Sequence, residues 1–152
     1  MMKSLLYLSR NLSFNRDGEL ERLIPQIQKR NARLSVSGYL YTDQDYFLQY
    51  LEGDEAVLDR LWFKICQDDR HEIMYMTTTD IDELRFPDWS MKFFCNSTQV
   101  EVLLYKYLIE QMQFMASKSL KSRVLSFFGQ DLNIWKMVDH IRLVTNPFAQ
   151  HA

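Results

Sequence analysis

Residues 34–54 read LSVSGYLYTDQDYFLQYLEGD, two runs rich in aromatic and aliphatic residues parted by Asp43-Gln44-Asp45. Short acidic and amide side chains bond to nearby backbone and tolerate turn dihedrals, so the pattern predicts a hairpin of strands 34–42 and 46–52 with a three-residue loop. Gly53-Asp54 closes the hairpin, and Asp54 is placed to cap a helix. In that helix Val57, Leu58, Leu61, Trp62 and Ile65 recur at helical spacing until Gln67-Asp68-Asp69-Arg70-His71 breaks the pattern.

Working outward, Leu5-Leu6-Tyr7-Leu8 reads as a short buried strand ending in a polar loop, Ser9-Arg10-Asn11. Asp17 then offers an N-cap, and Leu20, Leu23, Ile24, Ile27 and Asn31 fall on one helical stripe over residues 18–32. Pro25 lies inside that stretch and implies a kink or a later start. Residues 72–79 and 89–94 supply two more strands, separated by a polar stretch ending in Phe86-Pro87-Asp88. The order is βαββαββ, an α+β, ferredoxin-like split βαβ sheet with an added strand and two helices on one face, over residues 1–95.

After Asn96 the character changes. Val100, Leu103, Leu104, Tyr107, Leu108, Gln111 and Met115 form one helical stripe, and Leu132, Trp135, Val138 and Leu143 suggest a shorter second helix. Ser117 to Ser126 between them is polar and basic. Residues 96–152 are therefore expected to be a C-terminal helical extension, laid on the free sheet face or on a partner. The stripe of Leu104, Tyr107, Leu108, Met112 and Met115, with the aromatics Phe127, Phe128 and Trp135, suits a homo-oligomer or a regulatory protein partner.

With 152 residues, 47% hydrophobic, and only 4 Gly and 3 Pro, the chain can bury one core and is not a linker-rich or low-complexity design. Eighteen basic against 20 acidic residues argue against direct nucleic-acid binding or a polybasic membrane surface. Cys66 and Cys95 show no metal-ligand spacing, and no apolar run or secretory leader is present, so a reduced, cytoplasmic protein is expected, with no membrane contact and no metal. Nor is an enzyme expected. GxxxxGK[ST], HExxH and a Ser-His-Asp order are missing, and Ser9-Arg10-Asn11 lacks the glycines of a phosphate-binding loop, since the first is Gly18.

Strand side chains alternate, which puts Leu5, Tyr7 and Ser9 on one face, Phe47, Gln49 and Leu51 on another, and Trp89, Met91 and Phe93 on a third. Gln49 is the odd residue, a carboxamide between two large apolar neighbours that must find partners. Singly, Gln49 reads as a satisfied core amide, Asn31 as a helix C-cap, and Tyr7, Trp89 and Met91 as packing. Together, a phenol, a carboxamide, Asn31 and a Met or Trp from separate elements form a hydrogen-bonding set suited to the edge of a planar heterocycle.

The segments Leu5-Leu6-Tyr7-Leu8-Ser9, Arg30-Asn31-Ala32-Arg33, Ser37-Gly38, Phe47-Leu48-Gln49-Tyr50-Leu51-Glu52-Gly53, Asp68-Asp69-Arg70-His71 and Arg85-Phe86-Pro87-Asp88-Trp89-Ser90-Met91 resemble, in order and spacing, the BLUF domains, flavin-binding blue-light sensors. The resemblance implies FAD, or FMN or riboflavin, held between the two helices with its ring edge toward Tyr7, Gln49 and Asn31. Ile24 and Ile27 would pack on the ring plane and Arg30 would near its carbonyl edge. Lys64, Asp68, Arg70 and His71 would face the ribityl chain and phosphate. It further implies that Tyr7 donates an electron and a proton after excitation and that Gln49 rotates or tautomerises. The shared face of Trp89, Met91 and Phe93 adds the expectation that Trp89 or Met91, exchanging places beside Gln49, carries the change to a partner protein. The alternative is a BLUF-like scaffold for interaction or oligomerisation that works irrespective of light.

Overall fold

The structure, a computed structural model, describes residues 1–13, 18–43, 45–95, 100–117 and 133–144. The chain divides into two compact units, Met1–Asn96 and Ser97–Ala152. The first runs β1 (Met2–Asn11), α1 (Glu19–Arg33), β2 (Ser37–Thr42), β3 (Tyr46–Asp54), α2 (Glu55–Gln67), β4 (His71–Ile81) and β5 (Lys92–Cys95). The sheet order is β4-β1-β3-β2-β5, antiparallel throughout except for the parallel β2–β5 pair. This is the ferredoxin-like plan with an added edge strand.

β1 and β3 sit centrally and are covered on both faces, which is why they read as nearly continuous apolar runs. On the helix side, Leu5, Tyr7, Leu40, Phe47 and Leu51 meet Leu20 and Ile24 of α1 and Leu58 and Leu61 of α2. The other side carries Tyr39, Tyr41 and Tyr50, all buried, with Tyr39 stacked on Tyr50 at 5.3 Å between ring centroids. The hairpin loop is held by Asp43, whose Oδ1 accepts from the backbone N–H of Asp45 and Tyr46. Asp54 caps α2 as expected, accepting from Val57 N–H at 3.3 Å.

Several elements differ from expectation. Ser9, Arg10 and Asn11 do not leave the sheet but extend β1, because Ser9 is paired on both sides and its buried hydroxyl meets His71. α1 runs without interruption through Pro25, so the later start is ruled out. Pro25 and Glu21, whose carbonyl loses its helical donor there, are both exposed, and water can satisfy that carbonyl. Gly18, in the left-handed conformation, precedes α1 and offers no side-chain cap, while Asp17 lies outside the described residues. β2 begins at Ser37 rather than Leu34, since Leu34 caps α1 and Ser35 reverses the chain at φ 55°.

β5 begins at Lys92, three residues later than the sequence suggests. Residues 86–89 form a turn in which Trp89 N–H donates to Phe86 C=O at 3.1 Å, while Trp89 C=O accepts from Gly38 N–H at 2.7 Å. Strand alternation therefore does not apply to Trp89 and Met91. Trp89 stacks on Phe86 at 4.8 Å on the tyrosine side of the sheet, whereas Met91 is buried in the helix-side core.

The second unit holds α3 (Val100–Ser117) and a further helix, α4, over residues 133–144. Its buried positions are Tyr105, Leu108, Ile109, Met112 and Met115 on α3, and Ile134, Val138 and Ile141 on α4. Leu103, Tyr107 and Leu143, expected on the inward stripes, are exposed. Apolar residues occupy most of the circumference of α3, so spacing alone does not select its buried face. Phe127, Phe128, Leu132 and the polar stretch after Ser117 lie outside the described residues. Among the described residues no helix is long and apolar enough to cross a membrane.

Gly38 adopts φ 151°, and a Cβ there would lie 1.9 Å from the Tyr50 carbonyl oxygen. Gly38→Ala must therefore force β2 from β3 or from the Trp89 turn. The expected loss is about 3 kcal/mol of unfolding free energy, read as a lowered urea midpoint.

Candidate functional site

The β1–β3 register sets Tyr7 directly opposite Gln49. Their side chains share the helix-facing side, and the Tyr7 hydroxyl donates a hydrogen bond to Gln49 Oε1. Gln49 Nε2 in turn donates to the Met91 thioether sulfur at 3.7 Å. These two partners assign the carboxamide orientation, with oxygen toward the phenol and nitrogen toward the sulfur. Burial, reinforced by the negative charge of Asp68, pushes the Tyr7 phenol well above its ordinary pKa, so the hydroxyl keeps its proton at neutral pH. The ring rests against Trp62 at 5.3 Å and meets His71 edge-on at 6.1 Å.

Tyr7 and Gln49 open onto a cavity of about 410 Å³, within the usual size range of small-molecule sites. Its apolar walls are Leu20, Leu23 and Ile27 of α1, Leu40 and Phe47 of the sheet, and Ile65 of α2; Gln26, Arg30, Asp68, Arg70 and His71 complete the lining. Arg70 binds Asp68 through Nε and Nη2, at 2.9 and 2.7 Å, and reaches Glu19 through Nη1 at 2.7 Å. Those bonds hold the Asp68 carboxyl below its usual range and keep the guanidinium firmly protonated. The two ring nitrogens of His71 lie 2.9 Å from Ile65 C=O (Nε2) and 2.8 Å from the Ser9 hydroxyl (Nδ1). A carbonyl can only accept, so Nε2 carries the hydrogen, and in the neutral ring Nδ1 accepts from Ser9.

Asn31 is fully buried near the end of α1. Its Oδ1 lies 3.4 Å from Nε and Nη2 of Arg30, while its Nδ2 meets no hydrogen-bond acceptor among the described residues. An orphaned buried amide donor costs about 1–3 kcal/mol, which a ligand acceptor would relieve.

Of the residues singled out in the sequence, the fold thus brings Tyr7, Ile27, Arg30, Gln49, Asp68, Arg70 and His71 onto one cavity, with Met91 in contact with Gln49. Ile24 is buried in the same core without lining the cavity. Lys64 is exposed on α2 and does not line the cavity, and Trp89 lies across the sheet. Leu20, Leu23, Gln26, Leu40, Phe47 and Ile65 were not identified as site residues from sequence. For two of them a signal existed, since Phe47 shares the face of Gln49 and Leu40 pairs with it across β2–β3.

Residues 2–92 match the family described as BLUF, sensors of blue-light using FAD. The chain belongs to the BLUF family. Over 71 residues it is 31% identical to the blue light- and temperature-regulated antirepressor BluF of Escherichia coli (strain K12), covering 47% of this chain and 18% of that protein. Over 75 residues it is 32% identical to the photoactivated adenylate cyclase subunit beta of Euglena longa, covering 48% of this chain and 9% of that one. The match thus spans less than a fifth of either relative.

Among solved structures, the photo-activated state of BlsA aligns at a TM-score of 0.61 and 28% identity, over 87% of this chain and 94% of that one. The dark state of the BLUF protein BlrB aligns at 0.56 and 26%, over 85% and 93%. The matched region is a domain of a family described as blue-light sensors that use flavin. The site suits such a cofactor: apolar walls for a ring, a phenol and carboxamide at one end, and an unsatisfied buried amide donor nearby.

Because the folded state depresses the Asp68 pKa, the Asp68–Arg70 contact stabilises the fold above the ordinary carboxyl value of about 3.9, and that contribution is lost as pH falls through the depressed value. Asp68→Asn is expected to cost about 1 kcal/mol at pH 7, allowing for partial exposure, and less at pH 2. Urea titrations at the two pH values give the comparison.

Proposed function

We propose that this chain is a blue-light photoreceptor that holds an oxidised flavin in the cavity beside α1 and uses Tyr7 and Gln49 as its switch. The observation that carries the reading is the Tyr7–Gln49 hydrogen bond at the cavity, with Gln49 Nε2 committed to Met91. Asn31 would satisfy its spare donor on the ring's polar edge, and Ile27 and Leu23 would face the ring plane. Arg70 is already held by Asp68 and Glu19, so the phosphate end of the cofactor gains little, and FAD, FMN and riboflavin are all acceptable.

When bound, the flavin supplies a blue-absorbing ring whose excited state is a strong electron acceptor. Tyr7 is the neighbouring side chain able to give up an electron and, with it, the hydroxyl proton that burial otherwise holds in place. While that proton is displaced, the bond pinning Gln49 Oε1 is released, and the carboxamide can rotate or tautomerise. Once Tyr7 is restored, a rotated Gln49 turns Nε2 toward the phenol oxygen and withdraws its donor from Met91. Exchanging one or two buried hydrogen bonds is worth about 1–3 kcal/mol, and a tenfold population change needs about 1.4 kcal/mol, so an output equilibrium can shift by about one to two decades. Met91 immediately precedes β5, which makes it the first link toward contacts with a regulatory protein or a second copy of the chain.

The test is spectroscopic. Purified protein is expected to be yellow and to show a reversible red shift after blue illumination, which Tyr7→Phe and Gln49→Ala abolish. Colourless protein that takes up no added flavin would instead select a light-independent interaction scaffold. In a flavin titration, Asn31→Ala is expected to weaken binding about threefold to tenfold, one hydrogen bond's worth. Met91→Ala is expected to keep the red shift but to change its dark recovery and to reduce the light dependence of partner binding.

A further inference from the structure

A second buried polar cluster lies on the tyrosine side of the sheet, behind the switch. Glu52 on β3 is fully buried, yet its carboxylate accepts four hydrogen bonds. Oε1 takes them from the Ser37 hydroxyl at 3.0 Å and from Phe86 N–H at 2.7 Å. Oε2 takes them from the Tyr50 hydroxyl at 2.7 Å and from Arg85 N–H at 2.8 Å. Arg85 Nη1 donates to the Ser4 hydroxyl at 2.8 Å and to the Tyr50 oxygen at 3.1 Å, bringing a positive charge close to the cluster. A buried carboxylate is retained in a fold only when donors of this number meet it.

What Glu52 grips is the start of the segment that ends at Met91. From Phe86, held at its N–H by Glu52, the chain turns through the Trp89 N–H bond to Phe86 C=O, is tied to β2 by Gly38 N–H to Trp89 C=O, and reaches Met91. The Met91 carbonyl is fixed by Gln28 Nε2 at 2.8 Å, and its sulfur receives Gln49 Nε2. Gln49 and Glu52 stand three residues apart on β3, on opposite faces. One rigid strand therefore holds both the switching carboxamide and the anchor of the segment that the carboxamide touches.

Resting on the photoreceptor reading, we propose that Glu52 is a positioning residue for the switch: by clamping the Arg85–Phe86 backbone from behind the sheet it fixes the Met91 sulfur against Gln49, and so sets how fast the light-adapted state decays. With the clamp loosened, Met91 supports the dark orientation of Gln49 less well, and the return to it slows.

The experiment compares dark recovery of the red-shifted state, followed by absorbance after blue illumination, in the full chain with flavin bound. Glu52→Gln keeps the volume but sets an amide donor against one of the two backbone N–H groups. Recovery is expected to slow by about threefold to tenfold, with the red shift itself preserved. In a Met91→Ala background, Glu52→Gln is expected to change recovery by less than about twofold, because the element it acts through is gone. Unchanged recovery in the otherwise native chain, or equal slowing in both backgrounds, would overturn the proposal, the second result marking a general loosening of the fold. If Glu52→Gln does not fold, Tyr50→Phe removes one donor from Oε2 and one acceptor of Arg85 Nη1, so that the carboxylate is held less firmly against the Arg85 and Phe86 N–H groups and the clamp is loosened in part. It is expected to slow recovery in the same direction by a smaller factor, again only when Met91 is present, and no slowing overturns the proposal. A native chain that binds flavin but shows no light-induced shift sinks the photoreceptor reading itself, a failure visible before any Glu52 variant is measured.

Discussion

The pairing of β1 with β3 is the constraint on which the site depends. Tyr7 faces Gln49 because Leu5 pairs with Leu51 and Ser9 with Phe47, and the apolar Leu5, Leu51 and Phe47 demand the helix-side core. A slip of one residue would send Tyr7 and Gln49 to opposite faces and drive Leu5 out of the core at the same time. The phenol–carboxamide contact is thus protected by the same hydrophobic burial that stabilises the sheet. No separate device is needed to bring the two groups together.

Around that contact the polar groups are treated unequally. His71 is tied at both ring nitrogens, Arg70 is held by two carboxylates, and Glu52 is saturated behind the sheet. Gln49 is different: the Tyr7 hydroxyl holds its oxygen, and only a weak, long contact to sulfur holds its nitrogen. Sulfur is a poor acceptor, so turning the carboxamide forfeits little on that side. Gln49 is thus the most lightly held of these groups on its nitrogen side, which is what the proposed two-state switch requires if it is to bias a distant contact.

Elements whose periodicity coincides with their burial were legible in the sequence. The strand over 46–52, the cap at Asp54 and the stripe through Leu58 and Leu61 reappear in the structure with boundaries moved by a residue or two. The cavity was legible in part, through ordered segments bearing Tyr7, Gln49 and the Arg70-His71 turn, while Asn31 is buried without lining it. Trp89 departs from strand alternation because residues 86–89 form a turn, where a hydrogen bond from Gly38 rather than a strand ladder decides which way side chains point. The buried face of α3 was misread for a related reason: a helix apolar on most sides carries no spacing signal to choose among them.

The sequence by itself determined the order of elements, the face on which Tyr7 and Gln49 lie, and the family, because these follow from local periodicity and from residue identities at set intervals. Only the tertiary structure decided that Met91 and not Trp89 meets Gln49, that Lys64 stays outside the cavity, and that Glu52 grips the backbone of Arg85 and Phe86. The first and last are contacts between chain segments more than 25 residues apart, and the position of Lys64 follows from how α2 packs on the sheet. Such facts arise from how packed elements share space, and no local pattern encodes them.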